Sequence, residues 1–238
     1  MGKKIVILNG SPRKNGNTSA LAQAFAKGAG EAGHTVTAFW LGGMDIHGCR
    51  GCFGGDSSRP CPCVQKDGMT EIYPAVRDSD VVVLASPLYY WNLSGQLRTC
   101  FDRLFALEEG GENLLRGHGR AGALLMAAEG HGFDDVLTYY RHLMEHLRWQ
   151  DLGQVLAAAT MTPGDTAGTR ELDQASRRGL PTRCPPADPA SAYRRPAGEF
   201  SPAGRLLFCF PFCWAGRLQP HSSVCTASAA ARDSAPIQ

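Results

Sequence analysis

The chain has 238 residues with 24 basic and 22 acidic side chains, a formal charge of +2 and 43% apolar residues, enough for one large core plus an appendage. So small a charge gives no footprint for a nucleic-acid binder, which must neutralise many phosphates, and no apolar run approaches the ~20 residues of a membrane span. The opening apolar run, Ile5 to Leu8, is too short for a secretory signal, and nine cysteines, an odd number, point to free thiols or a metal site in a cytoplasmic protein rather than to a disulfide framework.

Lys3 to Leu8 is a short β-branched run that suits a strand buried on both faces, and Thr18 opens a helix with Ala20, Leu21, Ala24, Phe25 and Ala29 on one face until Gly30 and Gly33 end it. His34 to Leu41 reads as a second strand, followed by a long Gly and Cys loop to Lys66. Asp67 can cap a helix carrying Met69, Ile72, Tyr73 and Val76. Asp80 to Ala85 is a third strand whose four successive apolar side chains need cover on both sides. Ser94 can cap a helix whose Leu97, Phe101, Leu104 and Phe105 form a stripe at helical spacing, and Cys100 on that helix reads as core.

Ala121 to Ala127 and Asp151 to Ala159 add two strands around a helix from Asp134 to Leu147, and Thr169 to Arg178 starts a fifth helix. Strands alternating with helices require right-handed crossovers, so the expected fold is α/β, a doubly wound five-stranded parallel sheet covered on both faces over residues 1–178. Ligands of such sheets bind beyond the carboxyl ends of the strands.

Beyond this domain the composition shifts. Residues 179–238 hold nine of the 15 prolines, four of the nine cysteines, six arginines, three acids and no lysine. Leu206 to Trp214 is apolar but half a membrane span, and Pro211 would break a helix there. The tail is expected to be an extension without a fold of its own, with a docking peptide or a redox-active Cys segment as the functional alternative. Its period-free mixture also resembles GC-rich DNA read in a shifted frame.

The first strand runs into Asn9-Gly10-Ser11-Pro12-Arg13-Lys14-Asn15-Gly16-Asn17-Thr18-Ser19. Glycines let the backbone turn closely round an anion, the hydroxyls and amides are short donors, and the helix start adds free N–H groups and a positive dipole end. No Lys follows Gly16 to reach a γ-phosphate and there is no G-x-G-x-x-G, so the expected ligand carries a terminal monophosphate. At the third strand's end Tyr89, Tyr90 and Trp91 can exclude water from a flat ring, or else pack under their own loop or at a subunit contact. Gly130 and Gly132 permit backbone approach in the loop from Ala127, where His131 is either an acid or base or a solvated side chain.

The string GSPRKNGNT after an N-terminal strand, Ser86-Pro87-Leu88-Tyr89-Tyr90-Trp91 after the third, the segment from Ser94-Gly95-Gln96-Leu97-Arg98 to Phe101-Asp102-Arg103 and the Pro163-Gly164-Asp165 turn together resemble the flavodoxin-like NAD(P)H-dependent FMN reductases, a group that includes the iron-sulfur flavoproteins. The resemblance reaches Arg178. It implies strand order 2-1-3-4-5, FMN as cofactor, NAD(P)H as co-substrate and a homodimer. It implies further that Ser11, Arg13, Asn17, Thr18 and Ser19 hold the FMN phosphate, that Pro87, Leu88, Tyr89, Tyr90, Trp91 and Asn92 lie along the isoalloxazine, and that Glu129 and Gly130 approach its pyrimidine edge.

In that group the cluster-binding members place a third Cys three residues after the second, where this chain has Gly55. Cys63, followed by Val64 and Asp67, matches the last Cys of the pattern. Cys61 is the available substitute, giving Cys49, Cys52, Cys61 and Cys63 as an alternative iron-sulfur or zinc ligand set, since such sites need four soft ligands. The leading expectation is thiols lining a flavin or subunit loop. His47 is a stray ligand or, beside Gly48, a structural side chain.

The resulting expectation is an FMN-dependent oxidoreductase in which NAD(P)H reduces the flavin and a small-molecule acceptor, a quinone, free flavin, nitro or azo compound, removes the electrons, with no obligatory side-chain base. The alternatives are an iron-sulfur flavoprotein that carries single electrons and a non-enzymatic FMN-binding or interaction protein. A flavodoxin carrier fits less well, because such carriers are markedly acidic for docking and this chain is near neutral.

Overall fold

Period-two alternation along the strands sorts the apolar side chains into two cores, one on each face of a sheet. The computed structural model describes residues 2–179, so the expectations for the tail from Leu180 onward lie outside the described residues. In chain order the elements are β1 (Lys4–Asn9), α1 (Asn17–Glu31), β2 (Thr35–Trp40), α2 (Met69–Arg77), β3 (Val81–Pro87), α3 (Gly95–Arg103), β4 (Ala121–Ala127), α4 (Asp134–Leu147), β5 (Gln150–Ala157) and α5 (Arg170–Gly179). All four strand pairings are parallel and the order is β2-β1-β3-β4-β5, as expected.

Val6 and Leu8 of β1, Val82 and Leu84 of β3, and Leu124 and Met126 of β4 face α2, α3 and α4, where Tyr73, Leu97, Cys100 and Tyr140 complete the larger core. Ile5, Ile7, Val83, Ala85, Ala123 and Leu125 face the other way, toward Leu21 and Phe25 of α1 and Ala175 of α5. A strand that must feed both cores has no polar positions, which is why β3 reads as an unbroken apolar run. The edge strand β2 is only half-buried, and its Thr residues match that position.

The helices α1 and α5 cross at small residues. A Cβ on Gly28 would sit 2.0 Å from the Ser176 carbonyl oxygen and one on Gly179 would sit 2.3 Å from that of Phe25, so their backbones pack without intervening side chains.

Ser94 caps α3 as expected, accepting from the Leu97 N–H at 3.3 Å. The helix is shorter than its apolar stripe predicts. It ends at Arg103 and tightens into a 3-10 turn, Leu104–Glu108, which rotates the following side chains so that Leu104 is buried while Phe105 is 47% exposed. Asp67, expected to cap α2, sits two residues before its first residue, with Gly68 at the cap position, and its Oδ1 accepts from the Met69 N–H at 3.1 Å.

Candidate functional site

A cleft of about 330 Å³ lies beyond the carboxyl ends of β1, β3, β4 and β5. Ser11 to Arg13 and Gly16 to Thr18 form one wall, Pro87 to Tyr89 a second, and Ala127 to Glu129 with Thr160 and Met161 the remainder.

The β1–α1 turn holds its own shape. Asn9 donates through Nδ2 to Ser19 Oγ at 2.9 Å and accepts through Oδ1 from the Ser11 N–H at 3.0 Å. Both serine hydroxyls donate to the Arg13 carbonyl, Ser11 at 2.9 Å and Ser19 at 3.0 Å. Those two hydroxyls are therefore committed to the turn. Below it the Trp40 indole N–H donates to the Ser11 carbonyl at 2.8 Å. Gly10 is required here, since a Cβ would meet Ser94 Oγ at 2.5 Å and Leu97 Cβ at 2.6 Å; without one, Ser94 Oγ donates to the Gly10 carbonyl at 2.7 Å and locks the two walls together.

Asn17 does not present its amide to the cleft as a free donor. Its Nδ2 donates to the Thr162 carbonyl at 2.7 Å and its Oδ1 accepts from the Gly164 N–H at 3.0 Å. What remains is the start of α1. Gly16 is extended and gives no side-chain cap, so the N–H groups of Asn17, Thr18 and Ser19 have no helical acceptor. Beside them are the Thr18 hydroxyl, which has no partner among the described residues, and the exposed Arg13 guanidinium, which makes no ion pair among them. A positive helix end, a hydroxyl and a guanidinium around a gap are the donor set of a phosphate site.

After β3 the chain turns back on itself: Tyr89 and Asn92 exchange two backbone hydrogen bonds of 3.0 Å, with Tyr90 and Trp91 both at positive φ (47° and 59°), the geometry of a type I′ turn. Of the three aromatics only Tyr89 lines the cleft. Tyr90 is 93% exposed, and the Trp91 indole nitrogen lies 3.5 Å from where a Cβ on Gly132 would be; neither is part of the cleft lining. Pro87 and Leu88 line it and Asn92 does not; its Oδ1 accepts from the Leu93 N–H. Glu129 reaches the cleft. Gly130 and the exposed His131 lie outside its lining.

The loop after β5 supplies a wall that sequence reasoning missed. Thr160 is pinned by two bonds to the Ala128 carbonyl, 2.9 Å from its N–H and 3.0 Å from its hydroxyl, and Met161 stands beside it, 66% exposed. Asp165 accepts from the Thr162 hydroxyl and N–H, which hold its carboxyl below the usual range. The Pro-Gly-Asp turn was the visible signal for this wall.

The cysteine loop forms a separate pocket of about 260 Å³, lined by Cys49, Cys52 and Cys63 with Phe53, Phe105 and Glu109. Its floor is Arg103, whose side chain is 1% exposed and paired with Asp67 at 2.6 Å. Burial opposes ionisation of Cys63, but the Gln65 backbone N–H, the Tyr73 hydroxyl and Arg103 outweigh it and lower the thiol pKa. Cys61 does not line this pocket; its sulfur lies 3.7 Å from Thr70 Oγ1. The alternative four-cysteine set is thus split, and among the described residues no three Cys, His, Asp or Glu side chains converge as metal ligands. Cys100 is fully buried in the core, and burial pushes its thiol up to about 12.

Residues 3–163 match the family model described as NADPH-dependent FMN reductase. An iron-sulfur flavoprotein of Archaeoglobus fulgidus is 32% identical over 176 residues, 74% of this chain and 77% of that protein. Among solved structures, an NAD(P)H:quinone oxidoreductase from Methanothermobacter marburgensis superposes with a TM-score of 0.58 at 18% identity, over 75% of this chain and 95% of the other. An FMN-dependent NADH-azoreductase from Bacillus anthracis, in complex with FMN, gives 0.55 at 15% identity over 74% and 97%. These two share the fold. The family match spans the sheet, the β1–α1 turn and the cleft walls, and on it the chain belongs to the NADPH-dependent FMN reductase family, as an oxidoreductase with FMN for its cofactor and NAD(P)H for its reductant.

Proposed function

We propose that FMN occupies the cleft beyond β1, β3, β4 and β5 and that the protein passes electrons from NAD(P)H to a small acceptor, a quinone, free flavin, nitro or azo compound. The observation that carries this reading is the unsatisfied start of α1: three N–H groups, the Thr18 hydroxyl and Arg13 border a cleft whose other walls are Pro87 to Tyr89, Ala127 to Glu129, Thr160 and Met161. Bound there, FMN supplies the chemistry, accepting a hydride from NAD(P)H and releasing two electrons to the acceptor.

Each wall then has a distinct part. Arg13, Thr18 and the helix start neutralise and orient the monophosphate, while Ser11, Ser19 and Asn17 act by holding the turn and the neighbouring loop in place. Leu88 and Tyr89 exclude water from one side of a flat ring. The Ala128 N–H is engaged by the Ala157 carbonyl at 2.8 Å, which leaves the N–H groups of Glu129 and Gly130 as the donors on that loop for a pyrimidine edge. Tyr90 and Trp91, exposed at the rim, are suited to the acceptor or to a second subunit. The cleft is open enough for nicotinamide and acceptor to enter in turn, and no side chain needs to act as a base.

The resemblance to the family is the ground for taking a cytoplasmic homodimer as the working form. Among the described residues no helix is long and apolar enough to cross a membrane. The test is anaerobic addition of NADPH or NADH to FMN-loaded protein. Bleaching of the flavin absorbance, followed by recovery on adding a quinone, is the expected result; a flavin that stays oxidised refutes the reading.

A further inference from the structure

We propose that the cysteine loop of this chain is a pocket of free thiols and not a four-thiolate cluster site, because the Glu109 carboxylate fills the corner that the missing thiolate would need. A cubane or a structural zinc needs four soft ligands that converge on one point. Three loop thiols, those of Cys49, Cys52 and Cys63, line one pocket. The fourth, Cys61, is turned toward Thr70.

Gly55 also lines the pocket, and it is the position from which a ligand would complete the set. Its N–H donates to Glu109 Oε2 at 3.1 Å, and a Cβ there would meet that same oxygen at 2.2 Å and the Ala106 Cα at 3.0 Å. A side chain at residue 55 therefore requires the Glu109 carboxylate to swing out of this corner, with Glu109 Cβ still 3.0 Å away. The loop is held in this arrangement from beneath: Asp67 Oδ2 accepts from the His47 N–H at 3.0 Å, and Arg103 Nη1 donates both to Asp67 and to the His47 carbonyl at 2.8 Å. The buried guanidinium already has its countercharge, so the pocket does not call for an anionic cluster to neutralise it. Cys49 and Cys52, both exposed, are left open to solvent and to thiol reagents.

The thiol pocket is separate from the proposed FMN cleft, and its chemistry does not depend on the FMN reading. The experiment uses the full chain loaded with FMN, incubated anaerobically with ferrous iron and sulfide, desalted, and assayed for iron, acid-labile sulfide and flavin in the same sample. Less than about one iron per chain, with FMN retained, is expected; about four irons and four sulfides per chain, with a paramagnetic signal on reduction, overturns the proposal. A coloured aromatic disulfide then reports the thiols: Cys49 and Cys52 are expected to react in the native protein at a rate the iron and sulfide treatment leaves unchanged, and protection by about tenfold or more overturns it. In the double variant Gly55→Cys, Glu109→Ala, iron uptake is expected to rise above wild type. If that variant keeps FMN and takes up no more iron, Glu109 is not the obstacle and the proposal fails; if it loses FMN, the wild-type arms decide.

Discussion

Asn17 at the start of α1 is bonded across 145 residues of chain to Thr162, its Nδ2 donating to the Thr162 carbonyl at 2.7 Å. Because its Oδ1 also accepts from the Gly164 N–H, one side chain joins the turn proposed to hold phosphate to the loop that carries Met161 over the cleft. Replacing it by Ala removes these two bonds and two longer ones from Thr166, its N–H at 3.5 Å and its hydroxyl at 3.4 Å; counting the two short bonds alone at about 1 kcal/mol each, FMN affinity should fall roughly 30-fold as the walls separate. Asn17→Asp sets an oxygen against the Thr162 carbonyl and a negative charge beside the proposed phosphate, and should bind FMN no better than Asn17→Ala. Flavin fluorescence titration checks both; unchanged affinity in Asn17→Ala would show the tie to be irrelevant to the site.

Trp40 acts from below the same turn. Its indole N–H reaches the Ser11 carbonyl at 2.8 Å, and the ring packs against Gly42 and Gly43, where an added Cβ would lie 2.4 Å from it at Gly43. Trp40→Phe keeps most of the packing and loses the bond. FMN affinity is expected to weaken by about fivefold, the equivalent of one neutral hydrogen bond of about 1 kcal/mol, with riboflavin affinity changed less.

The Asp67–Arg103 pair makes a pH prediction. Burial opposes ionisation of Asp67, yet the Arg103 guanidinium and the N–H groups of His47 and Met69 outweigh it and draw the carboxyl down to about 2. In the unfolded chain the value is about 3.9, so the folded pKa is the lower one. The contribution is therefore complete above about pH 4 and is lost as pH falls toward 2, a loss that acid unfolding of Asp67→Asn should lack. At neutral pH that variant leaves Arg103 buried without a countercharge, at a cost of about 3 kcal/mol or roughly 10 °C in melting temperature.

The α1–α5 crossing tolerates no side chain at its tightest point. Gly28→Ala places a Cβ 2.0 Å from the Ser176 carbonyl oxygen, and the overpacking should cost about 1–3 kcal/mol, read as a lower thermal midpoint with FMN-binding stoichiometry intact. An unchanged midpoint would mean that α5 is not held against α1 in solution.

The strands were legible because buried parallel strands have few polar positions, which is why Val81–Pro87 and Ala121–Ala127 stand out in the sequence, and one-handed crossovers make the sheet parallel; its order was implied by the family resemblance. The β1–α1 turn was legible as an anion loop from its glycines and hydroxyls. What the sequence could not reveal was which polar groups are already engaged. Ser11, Asn17 and Ser19 look like free donors in one dimension, but in the fold they are bonded to Arg13, Thr162 and Asn9. Thr160 and Met161 were missed for the same reason, lying beyond a strand with no motif of their own. The aromatic run at 89–91 offers ring contacts or packing under its own loop or at a subunit contact, and a turn with positive φ at Tyr90 and Trp91, which the sequence does not signal, leaves only Tyr89 in the cleft lining. The buried state of Arg103 was not legible because an Arg at the end of a helix that also carries Arg98 and Asp102 gives no sign of burial until its partner Asp67, 36 residues away, is placed beside it.

The central claim, that the unsatisfied start of α1 with Thr18 and Arg13 grips the monophosphate, is tested most directly by titrating the protein with FMN and with riboflavin, which differ by that group. Two charge-assisted hydrogen bonds of about 1.5 kcal/mol each predict FMN binding about 100-fold tighter in the wild type, with much of the difference removed in Arg13→Ala, Thr18→Val. Equal affinity for the two flavins in the wild type would contradict the account.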